Sequence, residues 1–140
     1  MSKAAAKILS LDHLVLTVHS IPKSVSWYTA HLSMRHESFV SAATPDITRH
    51  SLIFGSQKIN LHEVGKEFEP KAQTPQYGSA DLCFVTADKV DEVATRLREA
   101  GVKMVDLGAE RNVRGVVERT GAVGKIRSVY CRDPDGNLIE

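Results

Sequence analysis

The chain has 140 residues, 25% of them charged, and a formal net charge of +1; this is enough for one buried core and gives no field that would gather nucleic acid or an anionic membrane. No apolar run approaches the ~20 residues of a membrane span, the first ten residues are too short and too little apolar for a secretory signal, and the two cysteines, Cys83 and Cys131, make neither a disulfide framework nor a Cys-x-x-Cys pair. A soluble cytoplasmic protein is expected, its cysteines serving as buried small hydrophobes.

Residues 1–10 read as a tail. Residues 11–18 alternate as a strand, with Leu14, Leu16 and Val18 on one face and His13, Val15 and Thr17 on the other. Ser20 is placed to cap a helix and Pro22 suits its first turn. Ile21, Val25, Tyr28 and Leu32 then recur at helical spacing, and Trp27 widens the apolar stripe. Extended runs at 34–42, 47–54 and 58–64 follow, broken at Thr44-Pro45-Asp46 and Gly55-Ser56-Gln57. Residues 65–78, with Pro70 and Pro75, have neither period and read as a linker.

The order then restarts. Residues 81–85 form a strand, Asp88 caps a helix whose buried stripe is Val90, Val93, Ala94 and Leu97, Asp91 favours its first turn, and Gly101 ends it. Residues 102–107 read as a strand, 108–124 as a loop carrying Arg111, Arg114 and Arg119, and 125–140 as a hairpin turning at Asp133-Pro134-Asp135-Gly136-Asn137. The expected fold is α+β: two tandem βαβββ modules, 11–64 and 79–140, forming a single domain with a cupped mixed sheet and helices on its outer face. Laying 81–85 over 13–17 puts Asp81 where His13 stands. His13, Asp81 and Glu140 lie opposite the apolar Leu14, Leu82 and Ile139, and Asn60 or His62 completes a polar set lining the cup. A carboxylate such as Glu140 on an inner sheet face has to be paired or bound to a metal. A strand carrying such a group ordinarily runs on for several residues, so more chain is expected beyond Glu140.

Leu-Asp-His-Leu-Val-Leu-Thr-Val at 11–18, Ser26-Trp27-Tyr28, and Asp-Pro-Asp-Gly-Asn-Leu-Ile-Glu at 133–140 carry a resemblance to a known family. The chain resembles the vicinal oxygen chelate superfamily, which includes glyoxalase I, extradiol dioxygenases, methylmalonyl-CoA epimerase, and the fosfomycin- and bleomycin-resistance proteins. Residues 57–71 and Arg119-Thr120-Gly121-Ala122 are similar to glyoxalase-domain-containing proteins without a firmly assigned reaction. The resemblance implies one divalent metal held at positions that match His13, Asn60, Asp81 and Glu140. Asp81 replaces the usual His. Asn60 stands where Glu or Gln is usual, with His62 two residues along on the same face. The set His13, His62, Asp81 and Glu140 makes a mixed nitrogen and oxygen site that leaves Zn, Ni, Mn or Fe open.

The implied chemistry is chelation of neighbouring substrate oxygens, with Glu140 or His62 as the proton-transferring group. Ser128 and Tyr130 share a strand face and resemble the cup residues of fosfomycin-resistance enzymes, although Val15 replaces the Thr those enzymes carry. The dioxygenase reading needs a second His that only His62 could supply, so both of these activities are disfavoured. Arg119, with Arg111 and Arg114, belongs either to a lid offering cations to an acidic substrate or to a solvated loop. His62 is either a ligand or a hydrogen-bond partner of Asp81. The expected function is a metal-dependent, lactoylglutathione-lyase-like lyase or isomerase acting on a small oxygenated metabolite, working as a homodimer. The alternative is a metal-free sequestering protein of the bleomycin-resistance type, with a catalytically dead scaffold as a third reading. Whether one chain or two complete the cup stays open at this level.

Overall fold

The computed structural model describes residues 3–107 and 115–140. Its first half runs β1 (His13–Val18), α1 (Ile21–Leu32), β2 (Arg35–Ser41), β3 (Thr44–Phe54) and β4 (Gln57–Glu63). These strands form one mixed sheet in the order β1-β4-β3-β2, with β1 parallel to β4 and the other pairs antiparallel. The register sets Leu14 beside Ile59 and Leu16 beside Leu61, so the alternation read from the sequence becomes one apolar sheet face. Leu16, Val18, Leu52, Ile59 and Leu61 are all buried there. Removing each such side chain from water stabilises the fold by about 1.5–3 kcal/mol.

Helix α1 begins as its sequence dictates. Ser20 is the N-cap and its hydroxyl accepts from the Lys23 N–H at 3.4 Å, and a proline occupies the first turn. Ser33, left-handed at φ 53°, ends the helix and returns its N–H to the Tyr28 carbonyl. Tyr28 is fully buried, while Ile21, Val25, Trp27 and Leu32 pack at the margin of the core.

The second half comprises β5 (Asp81–Leu82), α2 (Val90–Glu99), β6 (Val117–Gly121), β7 (Gly124–Ser128), β8 (Cys131–Arg132) and β9 (Leu138–Ile139). A three-stranded sheet has the order β5-β9-β8, and β6 with β7 makes a separate hairpin. Leu97, Val102, Cys131 and Ile139 join the apolar residues of the first half in one cluster. This is a mixed α+β fold with two helices among the described residues, as the repeat predicts. Neither helix is long and apolar enough to cross a membrane.

The turn at 133–137 ties the two halves together. Asp133 is buried, and its carboxylate accepts from the Tyr28 hydroxyl at 2.7 Å, the Asn137 side chain at 2.8 Å, and the backbone N–H groups of Asp135 and Asn137 at 2.9 Å. No lysine or arginine pairs with it among the described residues. Four donors therefore take the place of a counter-ion. Asn137 also accepts from the Ala80 N–H at 2.9 Å, which fixes the entry to β5.

Five local expectations need correction. The first hairpin turns at Ala42 and Ala43, and Thr44-Pro45-Asp46 already belongs to β3. The register shifts between Val40 and Ser41, so Pro45 sits at an irregularity where no ladder N–H is required. Lys89 rather than Asp88 is the N-cap of α2, without a side-chain bond, while Asp88 meets Arg96 at 3.4 Å. Residues 102–107 pair with β8 through a single bridge at Met104 and two flanking bonds and do not form a full strand. Within the expected loop, β6 is a strand. The long arm leading into the last turn divides into β7 and β8. Arg111 and Arg114 lie outside the described residues.

Candidate functional site

The polar face of each sheet follows from strand register. Thr17 pairs with His62, Val15 with Asn60 and His13 with Lys58, and paired residues in a ladder share a face. His13, Asn60 and His62 therefore stand on one side of the first sheet, opposite its apolar face. In the second sheet Asp81 pairs with Leu138 and Leu82 with Ile139. The bonds from Glu140 N–H to Leu82 and from Phe84 N–H to Glu140 carry the ladder one step further, setting Cys83 beside Glu140. Asp81, Cys83 and Glu140 thus share the face opposite buried Ile139.

Around Glu140 the structure assembles a connected group. The Tyr130 hydroxyl donates to Glu140 Oε1 at 2.6 Å and accepts from Arg119 Nε at 3.1 Å. Burial pulls the Glu140 carboxyl upward, but hydrogen bonds from Tyr130, Ser128 and Cys83 and the charge of Arg119 outweigh it, so its affinity for a proton falls below the carboxylate norm. The buried Ser128 hydroxyl leans toward that carboxylate without reaching a hydrogen bond of full geometry. Cys83 is exposed, unlike buried Cys131 and contrary to the expectation for both; partial desolvation, then Glu140, pushes its thiol up to about 11, which leaves it un-ionised. Glu140, Tyr130, Arg119 and Ser128, four of the residues singled out from sequence, are brought together here.

The first-sheet residues are held differently. His13 is exposed, and its Nδ1 lies 2.7 Å from Asp12 Oδ2. A carboxylate on one ring nitrogen is the arrangement that orients the other as a metal ligand. Asn60 Oδ1 accepts from Ser51 at 2.7 Å. The His62 ring lies 4.4 Å from that of Phe68, and burial followed by the Arg49 charge lowers its proton affinity against a smaller opposing pull from Glu67. It is a neutral imidazole at neutral pH. The donors suit a divalent cation by type, yet among the described residues no three His, Cys, Asp or Glu side chains gather closely enough to hold one. His13 and His62 lie on the first sheet, four ladder positions or about 13 Å apart along it, and Asp81 and Glu140 lie on neighbouring strands of the second.

Residues 10–140 match the family described as the Glyoxalase/Bleomycin resistance protein/Dioxygenase superfamily. The chain belongs to this superfamily. Virulence protein STM3117 of Salmonella typhimurium is 48% identical over 130 residues, covering 93% of this chain and 81% of that one. The superfamily relative named glyoxalase domain-containing protein RDO1, from Mycosarcoma maydis, is 50% identical over 133 residues, covering 95% of this chain and 67% of that one. The crystal structure of STM3117 superposes with a TM-score of 0.80 at 45% identity, covering 96% and 95% of the two chains. Lactoylglutathione lyase of Agrobacterium tumefaciens, at 20% identity and TM-score 0.62 over 93% and 90% of the chains, shares the fold.

Sequence reading did not single out Arg49 or Phe68. The Arg49 guanidinium lies 4.2 Å above the Phe68 ring, on the same sheet face as His62. No periodic signal announces the pair, because Phe68 reaches the sheet from the aperiodic 65–78 segment. An arginine on the polar face of a strand was the available clue.

Proposed function

We propose that this superfamily member is a cytoplasmic, divalent-metal-dependent lyase or isomerase of the glyoxalase type, acting on a small oxygenated metabolite through a single domain spanning 11–140. The observation that carries the reading is the ionised Glu140 carboxylate, held by Tyr130 and backed by Arg119 on the open face of the second sheet. A fixed, charged carboxylate can take a proton from the carbon beside a substrate carbonyl. Tyr130 holds its orientation, and Arg119 steadies the Tyr130 hydroxyl. When bound, the metal would supply Lewis-acid polarisation of neighbouring substrate oxygens.

The residues that would hold it are a first-sheet histidine of one copy, His13 in this reading, with Asp81 and Glu140 of a second, while His62 stands four ladder positions from His13. Three features support a homodimer built this way. The histidines and the carboxylates stand on different sheets and no three donors gather within one chain among the described residues; β1 and β5 lie at sheet edges; and Leu11, Val15 and Val85 are 66%, 44% and 94% exposed near those edges. A fosfomycin resistance protein of this fold, FosX of Listeria monocytogenes, has been solved with Mn(II) and a phosphonic acid.

Metal analysis after incubation with Mn, Fe, Co, Ni and Zn salts tests the reading. The expected result is about one ion per chain, lost in His13→Ala and in Glu140→Gln, and regained in part when the two variants are co-expressed, because a mixed dimer then owns one intact site. Absence of metal from the wild type overturns it. The division of donors within one chain also favours a second reading, metal-free ligand sequestration of the bleomycin-resistance type, and that result would select it.

A further inference from the structure

Arg49 stands on β3 beside Phe39 and shares its sheet face with Ser51, Asn60 and His62. Its guanidinium is fixed in two ways: stacked 4.2 Å over Phe68, and bonded through one terminal nitrogen to the Thr44 hydroxyl at 3.0 Å. Its Nε–H is buried and has no hydrogen-bond partner, and no carboxylate pairs with the side chain among the described residues. Arg35, on the same face, behaves ordinarily by contrast, since Glu37 takes it at 3.1 Å.

An arginine needs no ring beneath it to stay soluble. A planar donor fork, immobilised on an aromatic face and left short of acceptors, is the arrangement used to receive an oxyanion, because stacking removes the rotamer freedom that binding would otherwise have to freeze. The buried, unsatisfied Nε–H is a donor still waiting for its acceptor. Phe68 also contacts His62, so the fork and the imidazole line one patch of the polar face.

We propose that Arg49, held by Phe68, anchors an anionic group of the ligand, a carboxylate, phosphate or phosphonate oxyanion, on the polar face of the first sheet. This deepens the proposed function by naming its substrate class as an anionic oxygenated metabolite, and it rests on that reading only for the identity of the cup.

The test is a side-chain NMR titration of metal-free, EDTA-treated protein, following the Arg49 Nε–H and His62 ring signals with inorganic phosphate in one arm and acetate in another. Saturable shifts at both residues are expected in the wild type; read at His62, the affinity is weakened about tenfold or more in Arg49→Gln, weakened less in Phe68→Leu, and unchanged in Arg35→Gln. Saturation by phosphate alone assigns a phosphoryl or phosphonyl group, and saturation by both assigns a general oxyanion site. Shifts that never saturate in either arm, or that survive Arg49→Gln, overturn the proposal. Backbone spectra of each variant confirm the fold; if Arg49→Gln fails to fold, the Phe68→Leu and Arg35→Gln pair decides by the same criterion. Metal content is measured separately, so neither result can stand in for the other.

Discussion

Replacing Tyr28 by Phe removes one hydroxyl from a fully buried position without changing the ring that packs α1 into the core. That hydroxyl donates to Asp133 at 2.7 Å, and burial, then the Asp133 charge, pushes its own proton affinity well above the phenol norm, so it remains a donor at every working pH. A hydrogen bond to a charged group contributes about 1.5–3 kcal/mol, and here the acceptor is buried with no cation beside it, which places the loss near ~2 kcal/mol. With a urea slope of ~2 kcal/mol/M, the unfolding midpoint should fall by about 1 M at unchanged slope. In an Asp133→Asn background the acceptor is neutral, and the same change should cost about 1 kcal/mol. A loss under ~0.5 kcal/mol, or equal losses in both backgrounds, would refute the view that Tyr28 serves as a substitute counter-ion.

Gly78 sits at φ +77°, where an added Cβ would lie 2.6 Å from the Asp135 carbonyl oxygen, so Gly78→Ala should destabilise by about 2–3 kcal/mol. Gly65→Ala, at φ +80° in open space, should lose only about 1 kcal/mol; equal losses in thermal melts would remove the clash from the account. Asp135 has a raised proton affinity, chiefly from burial, so the charged form it carries at neutral pH weakens the fold. Asp135→Asn keeps an acceptor for the His19 N–H and should raise the melting temperature at pH 7, a gain that shrinks as pH falls through the carboxylate range. Because Glu140 is lowered in the folded state, its ionised form contributes stability above the ordinary value of 4.5 that is lost as pH falls through the lower folded value. Tyr130→Phe should raise the Glu140 value, read by carbon-detected NMR, and reduce stability more at neutral pH than in strongly acidic solution, where only the Arg119 bond to the hydroxyl is lost; an unmoved Glu140 would count against the Tyr130 bond.

Elements with a period in their own residues were legible. The two faces of β1 could be separated at 11–18, Ser20 announced its cap, and the pairing of Thr17 with His62 sets the first-strand and fourth-strand polar residues on the shared face that alternation predicts. Elements defined by a distant partner were not. Val117–Gly121 reads Val-Glu-Arg-Thr-Gly and becomes a strand only because β7 supplies the other half of its ladder. Residues 102–107 show the reverse case, apolar enough for a strand yet tied to β8 at one bridge. In the candidate site, Ser128 and Tyr130 were readable as one strand face and Glu140 as the polar side of the last strand. That no three donors gather within one chain, among the described residues, was not, because it depends on how the halves pack. Tyr28 held a usable clue, since a buried phenol requires an acceptor.

Asp133 has a consequence for how the chain can be taken apart. Its carboxylate closes the last turn with three donors from that turn and borrows the fourth from a helix more than a hundred residues earlier. The two halves repeat one pattern but are not interchangeable parts: a second half separated from α1 would carry a buried anion one donor short, and a first half alone would strand a buried phenol. A cut within 65–78 should therefore yield two pieces that remain clasped in native buffer and part only when the clasp itself is broken.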